Sequence, residues 1–347
     1  MNIIKFAIVG CGHIGKRHAE MISKNADAHL VALCDILPKQ VLALDNYSVP
    51  FFSSVEQLIK SDIQFDVLCI CTPNGLHAQH SIFALHNNKH VVIEKPMALF
   101  KEDCLAIIAA SNDTGRKVFC VMQNRSSPPS LWVKEIIETK LLGEIYMVQV
   151  NCFWNRDERY YTNNTWHGKL ELDGGTLFTQ FSHFIDTMVW LFGNIENIQA
   201  KFADFNHKHL TEFEDSGSIT FNFKSGGIGS LNYSSSVYSN NFESSLKIIA
   251  ENGTIEIGGQ YMNEVRYCNI NNYIMPILEK TNAPNNYGNY TGSAANHHFI
   301  IQNVIDVLNN KNKIATTAEE GMQVVDTIER IYMQRDLLLI KNRSTKY

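Results

Sequence analysis

Two domains in series are predicted for this 347-residue chain. A doubly wound, Rossmann-like α/β domain over residues 1–122 precedes an α+β domain over 123–347 with a large open, mainly antiparallel sheet. Three observations carry that expectation. Short apolar runs alternate with helical stretches through the first third of the chain. The glycine-rich turn GCGHIG follows the first of those runs at once. Past residue 122, longer runs alternate apolar and polar residues, as strands do when one face is covered and the other wet.

The elements follow in order. IKFAIVG reads as a strand, HIGKRHAEMISK as a helix and HLVALCD as a strand. SVEQLIKS, HAQHSIFALHNN and KEDCLAIIAASNDT are helices, alternating with the strands FDVLCICT, HVVIEK and KVFCVM. Strands apolar on both faces belong to a parallel sheet that helices cover on each side. One helix, SLWVKEIIETKLL, opens the second domain. GEIYMVQVNCFW, IQAKFADF, SGSITFNF, GIGSLNYSSSV, SSLKIIA and GTIEIGG then read as strands, with turn residues such as KSGG and ENG between them. DGGTLFTQFSHFIDTMVW, residues 173–190, reads as one buried helix, because Phe178, Phe181, Phe184 and Met188 recur at roughly helical spacing. Residues 272–296 read as a loop. HHFIIQNVIDVLNN and a run from Thr317, whose TAEE start fits a capping box, close the chain as helices.

Composition narrows the function. Hydrophobic residues make up 45% and charged residues 19%, which suits a globular, soluble protein. A net charge of −5 and the lack of a dense Lys/Arg run argue against nucleic acid as a partner. No apolar window is long enough to span a membrane, and the N-terminus runs straight into a strand without the pattern of a secretion leader. The eight cysteines are scattered, several inside strands, as expected of reduced thiols in a cytoplasmic protein. His77 and His80, and His297 with His298, lack the spacing of a metal motif, so no metal is expected. Helix-start packing accounts for the latter pair, although either could border a ligand.

The turn Gly10-x-Gly12-x-x-Gly15 is read as a dinucleotide site because of where it stands, between a strand and a helix. The first glycine permits the turn, the second lets a pyrophosphate approach the backbone, and the third lets helix and strand pack closely. His13 and Ile14 fall within that turn, at the helix N-terminus that faces the phosphates. Asp35 ends the next strand, where a carboxylate accepts hydrogen bonds from ribose hydroxyls and repels a 2′-phosphate, so NAD is expected over NADP. Thr72, Pro73 and Asn74, followed by His77, end a later strand, where ligands of open α/β sheets bind. An ordinary strand-to-helix turn would also explain Asn74. Glu94 and Lys95 stand before Pro96 at the end of the next strand, and Gln123 leaves the last one.

AIVGCGHIGKRHAE, CTPNGLHAQH, EKPMAL and DGGTLFTQFSHFID, in that order, resemble the Gfo/Idh/MocA oxidoreductases over essentially the whole chain. The resemblance implies that the lysine of E-K-P, Lys95, and the histidine of H-x-x-D, His183, meet at the nicotinamide. VMQNRSSPP, GEIYMVQVNCFWNRDERYY and TWHGKLELDGGTLFTQFSHFIDTMVWLFG further resemble the UDP-N-acetyl-2-amino-2-deoxy-D-glucuronate 3-dehydrogenases of bacterial surface-polysaccharide (lipopolysaccharide) synthesis. That implies oxidation of a sugar C3 hydroxyl, and family members are commonly tetramers or dimers packed through the open sheet. Many relatives carry aspartate four residues before the histidine; this chain has Thr179.

Lys95 and His183 are the expected catalytic pair, one accepting the hydroxyl proton and the other steadying negative charge, with the roles open to exchange. Thr179 orients the sugar or the imidazole. Gln123 and Asn124 suit sugar hydroxyls. Arg156, Tyr161 and Trp166, on an aromatic loop with Arg159, suit an anionic sugar nucleotide, though a loop packed by its own rings reads the same way. A dehydrogenase of free sugar or inositol, a non-catalytic NAD-binding module and an NAD-dependent glycosidase are the competing readings.

Overall fold

A computed structural model describes residues 2–162, 166–288 and 290–344, with backbone alone from 336 to 344. The chain divides into two compact units, residues 1–122 with 297–325 and residues 123–296 with 326–347.

In the first unit the strands are β1 (Ile4–Val9), β2 (Ala28–Cys34), β3 (Phe51–Phe52), β4 (Val67–Ile70), β5 (His90–Ile93) and β6 (Val118–Cys120). They form one sheet in the order β3-β2-β1-β4-β5-β6, and every pair is parallel. Helices α1 (His13–Lys24), α2 (Val55–Lys60), α3 (His77–His86) and α4 (Lys101–Thr114) make the crossovers. This order reverses direction between β1 and β4, so their carboxyl ends open the crevice where ligands of such sheets bind.

The second unit opens with α5 (Pro128–Glu138) and β7 (Ile145–Phe153). Four short or medium helices follow, α6 (Glu158–Tyr161), α7 (Leu170–Asp173), α8 (Thr176–Thr179) and α9 (Ser182–Phe192). Strands β8 (Ile195–Ala203), β9 (Ser216–Phe223), β10 (Ile228–Ser234), β11 (Glu243–Ala250), β12 (Gly253–Gly258) and β13 (Glu264–Ile270) complete a seven-stranded sheet ordered β13-β12-β11-β7-β10-β9-β8. Only the β7–β10 pair is parallel. A small hairpin, β14 (Pro284–Asn286) with β15 (Thr291–Ala294), lies inside the segment read as loop. The chain closes with α10 (His297–Leu308) and α11 (Ala318–Ser344).

Three differences from the sequence reading have physical causes. Residues 297–325, expected in the second domain, cluster with the first unit, because Ile300, Ile301, Val304 and Ile305 of α10 share a core with Phe6, Ile8, Ala19 and Ile22. Each such buried aliphatic side chain contributes roughly 1.5–3 kcal/mol. β13 was missed because it is an edge strand with little to bury: only Ile270 is fully enclosed, so no apolar alternation marks it. The run 173–190 is not one helix. It breaks between α8 and α9 at Phe181, whose ψ of 5° leaves the helical path, while Gln180 before it still has helical angles. The capping box is present as read: the Thr317 N–H donates to Glu320 Oε2 (2.9 Å) and the Glu320 N–H to Thr317 Oγ1 (3.3 Å).

Candidate active site

The first unit carries the glycine-rich turn at the start of α1. Gly10 has φ +83°, and a Cβ there would fall 2.5 Å from the Cys71 carbonyl carbon. A Cβ on Gly15 would fall 2.0 Å from Gly10 O, so α1 packs against the turn only because Gly15 lacks a side chain, and the turn meets the end of β4 only because Gly10 does. A Cβ on Gly12 meets nothing within 4 Å. That exposed gap leaves room for an anion beside the positive end of α1. His13 is exposed and Ile14 half-buried beside it.

Asp35 is tied to this turn. Its Oδ2 accepts the Cys11 N–H at 2.6 Å and its Oδ1 accepts the Leu37 N–H at 2.9 Å. Each oxygen keeps lone-pair capacity for a ribose hydroxyl, so the turn and the carboxylate together fit an adenine dinucleotide. Burial, then the Asp35 charge, pushes the Cys11 thiol up to about 12, so it packs rather than reacts.

At the end of β4, Asn74 is buried while Thr72 and Pro73 are half-buried, and Thr72 Oγ1 meets His80 Nδ1 at 3.1 Å. His77 sits between two carbonyls, with Nδ1 2.7 Å from Pro96 O and Nε2 2.8 Å from Thr72 O. Its ring thus clamps the turn after β4 to the turn after β5. Burial lowers its pKa, and the two carbonyls oppose that shift.

The turn after β5 carries Glu94 and Lys95. Glu94 is buried; its Oε1 meets His18 Nε2 at 2.8 Å and His297 Nε2 at 3.3 Å, and its Oε2 accepts the Lys95 N–H at 3.2 Å. Burial alone would raise the Glu94 pKa, but the two imidazoles hold it well below the usual carboxylate range. Burial keeps His297 below its ordinary value. These three residues offer ligand atoms within 4.8 Å of one another, the one such set among the described residues. The His18–Glu94 hydrogen bond, with the His297 ring 3.3 Å from the same oxygen, accounts for the cluster as an anchor next to Lys95. Sequence reading missed it because its members lie far apart along the chain. From Val91 to Leu99 only Lys95 is not fully buried, so it alone reaches outward from this turn.

The second unit holds the remaining candidate residues. Gln123 and Asn124 are buried; the Asn124 amide donates to Ser293 Oγ at 3.2 Å, whereas Gln123 Oε1 has no partner among the described residues. A buried amide oxygen without a donor suits a ligand hydroxyl. His183 is 2% exposed on α9, with Nδ1 enclosed by protein. Asp186, one turn on, is held by Arg125, whose Nε and Nη2 donate to its carboxylate at 2.9 and 2.6 Å. That buried fork fixes α9 and leaves the aspartate committed to Arg125. Between Gly175 and Val189 only Thr179 is not fully buried.

The aromatic loop is packed by its own rings and held together by Arg156. The Arg156 guanidinium lies 4.8–5.3 Å from the rings of Trp154, Tyr160 and Tyr290. Its Nε donates to Gln180 Oε1 at 2.6 Å, Nη1 to Asn155 O and Asn241 Oδ1, and Nη2 to Thr291 O. Among the described residues one Nη2 proton has no acceptor. Gln180 in turn donates to Tyr160 Oη at 2.8 Å, which links the loop to the break between α8 and α9. Tyr161 is buried and Trp166 half-buried, whereas Arg159 is exposed and pairs with Asp157.

Comparison with known proteins places this geometry. Residues 4–122 match the model of the oxidoreductase family with NAD-binding Rossmann fold, and residues 131–256 match the Gfo/Idh/MocA C-terminal domain. The WlbA dehydrogenase from Bordetella pertussis, solved with NADH and UDP-GlcNAcA, is 33% identical; the match covers 96% of this chain and 97% of that one, with a TM-score of 0.85. WlbA from Chromobacterium violaceum, solved with the same two ligands, is 31% identical over 97% and 95% of the chains, again at 0.85. Oxidoreductase P35 of Formosa agariphila is 25% identical over 80% of this chain and 89% of its own. No described helix is long and apolar enough to cross a membrane.

Proposed function

Because the chain belongs to the Gfo/Idh/MocA family and is an NAD-dependent oxidoreductase, we propose that it oxidises the C3 hydroxyl of UDP-N-acetyl-2-amino-2-deoxy-D-glucuronate to the 3-keto sugar. The observation that carries this reading is the likeness, over nearly the whole chain, to two dehydrogenases solved with UDP-GlcNAcA.

Bound NAD would supply the acceptor for the C3 hydride. His183 accepts the hydroxyl proton; Nε2 is the nitrogen we assign, since Nδ1 is enclosed. Lys95, held by the Glu94 anchor, stabilises the developing alkoxide with its ammonium. Burial of His183 excludes water, so the ring meets only a molecule seated against it. Thr179 and the unpartnered Gln123 Oε1 bind sugar hydroxyls, with Asn124 behind them. Asp35 accepts the ribose hydroxyls, and the Gly10–Gly15 turn with His13 and Ile14 takes the pyrophosphate. Thr72, Pro73, Asn74 and His77 shape the nicotinamide side. Tyr161, Trp166 and the remaining Arg156 proton border the anionic part of the substrate.

The same reading makes the enzyme a cytoplasmic step in surface-polysaccharide sugar synthesis. A row of exposed apolar residues, Ile249–Met147–Ile228, crosses three neighbouring strands and supports assembly through the sheet face. Incubating the protein with NAD and a panel of nucleotide sugars, free sugars and inositol tests the proposal. A product two mass units lighter, from the UDP-uronate alone, is expected; turnover of free sugar or inositol instead overturns the substrate assignment.

A further inference from the structure

Helix α8 leads into α9, and it is a helix of four residues between two weak points. Gly174 at φ +88° and Gly175 at φ +122° precede it, and the break at Phe181 follows it. So short a helix does not hold itself, and the double glycine gives it no stiffness from behind. At its far end the Thr179 hydroxyl donates to Asp173, which ties the segment to the residue before the glycines. Its start is tied to two buried residues distant in the chain, Glu214 and Tyr332.

Tyr332 Oη accepts the Leu177 N–H at 3.0 Å and donates to Glu214 Oε1 at 2.7 Å. A hydroxyl has one proton, so the bond to Glu214 leaves the lone pairs of Tyr332 to face Leu177. That N–H lies in the first turn of α8, where no helical carbonyl reaches it. The Glu214 main-chain carbonyl accepts the hydroxyl of Thr176, the residue before. The Tyr332 ring stands 5.9 Å from that of Phe178, and a Cβ on Gly175 would fall 2.5 Å from Tyr332 Oη. Residues 175 to 178 each meet Tyr332 or Glu214, and Thr179 follows directly. Tyr233 supplies a contrast. Its hydroxyl donates to the same Glu214 Oε1 at 2.8 Å, yet among the described residues it makes no hydrogen bond to α8.

Resting on the reading above that Thr179 and His183 meet the sugar, we propose that Tyr332 and Glu214 are positioning residues that set where those two side chains stand. Glu214 orients the Tyr332 hydroxyl, and Tyr332 holds the start of α8.

Tyr332→Phe and Tyr233→Phe test this as a matched pair. Each deletes one buried hydroxyl from Glu214, but the first alone also strips the Leu177 N–H of its acceptor. Thermal unfolding and NAD affinity report whether each variant folds, and turnover is measured where all are folded. Glu214→Gln, whose amide oxygen still accepts both hydroxyls, is compared with Glu214→Leu. Amide hydrogen exchange over 176–179 is followed without substrate.

Both tyrosine variants should lose thermal stability. Y332F alone should lose about 10-fold or more in kcat, since a misplacement of about 1 Å costs about 100-fold. Exchange at Leu177 rises in Y332F and not in Y233F, and E214Q keeps most of the turnover that E214L loses. Wild-type kcat in Y332F, an equal loss in Y233F, or unchanged exchange at Leu177 overturns the proposal. Turnover is followed on whichever sugar wild type oxidises. If that sugar is not the UDP-uronate, the substrate reading fails while the positioning role is still decided. Near-normal turnover in His183→Ala removes the segment from the chemistry, and the proposal falls with it.

Discussion

Replacing Gly12 and Gly15 by alanine should separate binding from folding within one turn. At Gly12 the added methyl meets no protein atom within 4 Å, and φ is −68°, which alanine adopts freely. Folding stability should change by less than about 1 kcal/mol. The methyl nevertheless fills the approach to the N-terminal N–H groups of α1, and a hydrogen bond to a charged group is worth about 1.5–3 kcal/mol. Losing one such bond to the pyrophosphate weakens NAD about 10- to 100-fold.

At Gly15 the methyl would lie 2.0 Å from Gly10 O, a backbone atom that cannot swing aside. Overpacking of that kind costs roughly 1–3 kcal/mol or more, so thermal unfolding falls by several degrees. Calorimetric NAD titration and thermal unfolding of both variants give the four numbers needed. G12A binding NAD as tightly as wild type would refute the placement of the pyrophosphate. G15A with unchanged stability would refute the packing of α1 on the turn.

Other perturbations act elsewhere. Lys95→Ala and His183→Ala should each reduce turnover by orders of magnitude while NAD affinity holds; near-normal turnover in either variant removes that residue from the chemistry. Acid should destabilise the protein in two stages. Folded His297 resists a proton that the unfolded chain takes up near its ordinary pKa of 6.5, so stability is lost as pH falls through that value. Glu94, depressed in the fold, contributes stability that is present above 4.5 and disappears as pH falls below it. Thermal unfolding followed from about pH 7.5 to 3.5 shows both stages in wild type, and Glu94→Gln weakens the lower one, to which Asp157 and Asp215 also contribute; identical profiles would contradict the anchor. Arg156→Ala strips four hydrogen bonds and a cation stacked on three rings, and should cost more than about 2 kcal/mol in unfolding. Unchanged stability would return Arg156 wholly to ligand binding.

Much of this fold is legible in the sequence because its signals are local. The parallel strands are apolar on both faces, and the glycine spacing sits between a strand and a helix that each announce themselves. The break between α8 and α9 is not legible, because it depends on side chains drawn to distant partners, Gln180 to Arg156 and Tyr160, and Thr179 back to Asp173. The Glu94 anchor is hidden for the same reason, since His18 and His297 enter from opposite ends of the chain. Asp186 looks like a partner for His183 by helical spacing, yet Arg125 claims it. Spacing along one element shows which side chains share a face; it does not show which neighbour from another element reaches them first.

The most direct measurement uses UDP-N-acetyl-2-amino-2-deoxy-D-glucuronate carrying deuterium at C3, incubated with the protein and NAD. Transfer of that deuterium to the cofactor, with release of a 3-keto sugar and near-complete loss of transfer in both Lys95→Ala and His183→Ala, is the expected result. Cofactor left unlabelled, or labelled equally well by the two variants, would contradict it.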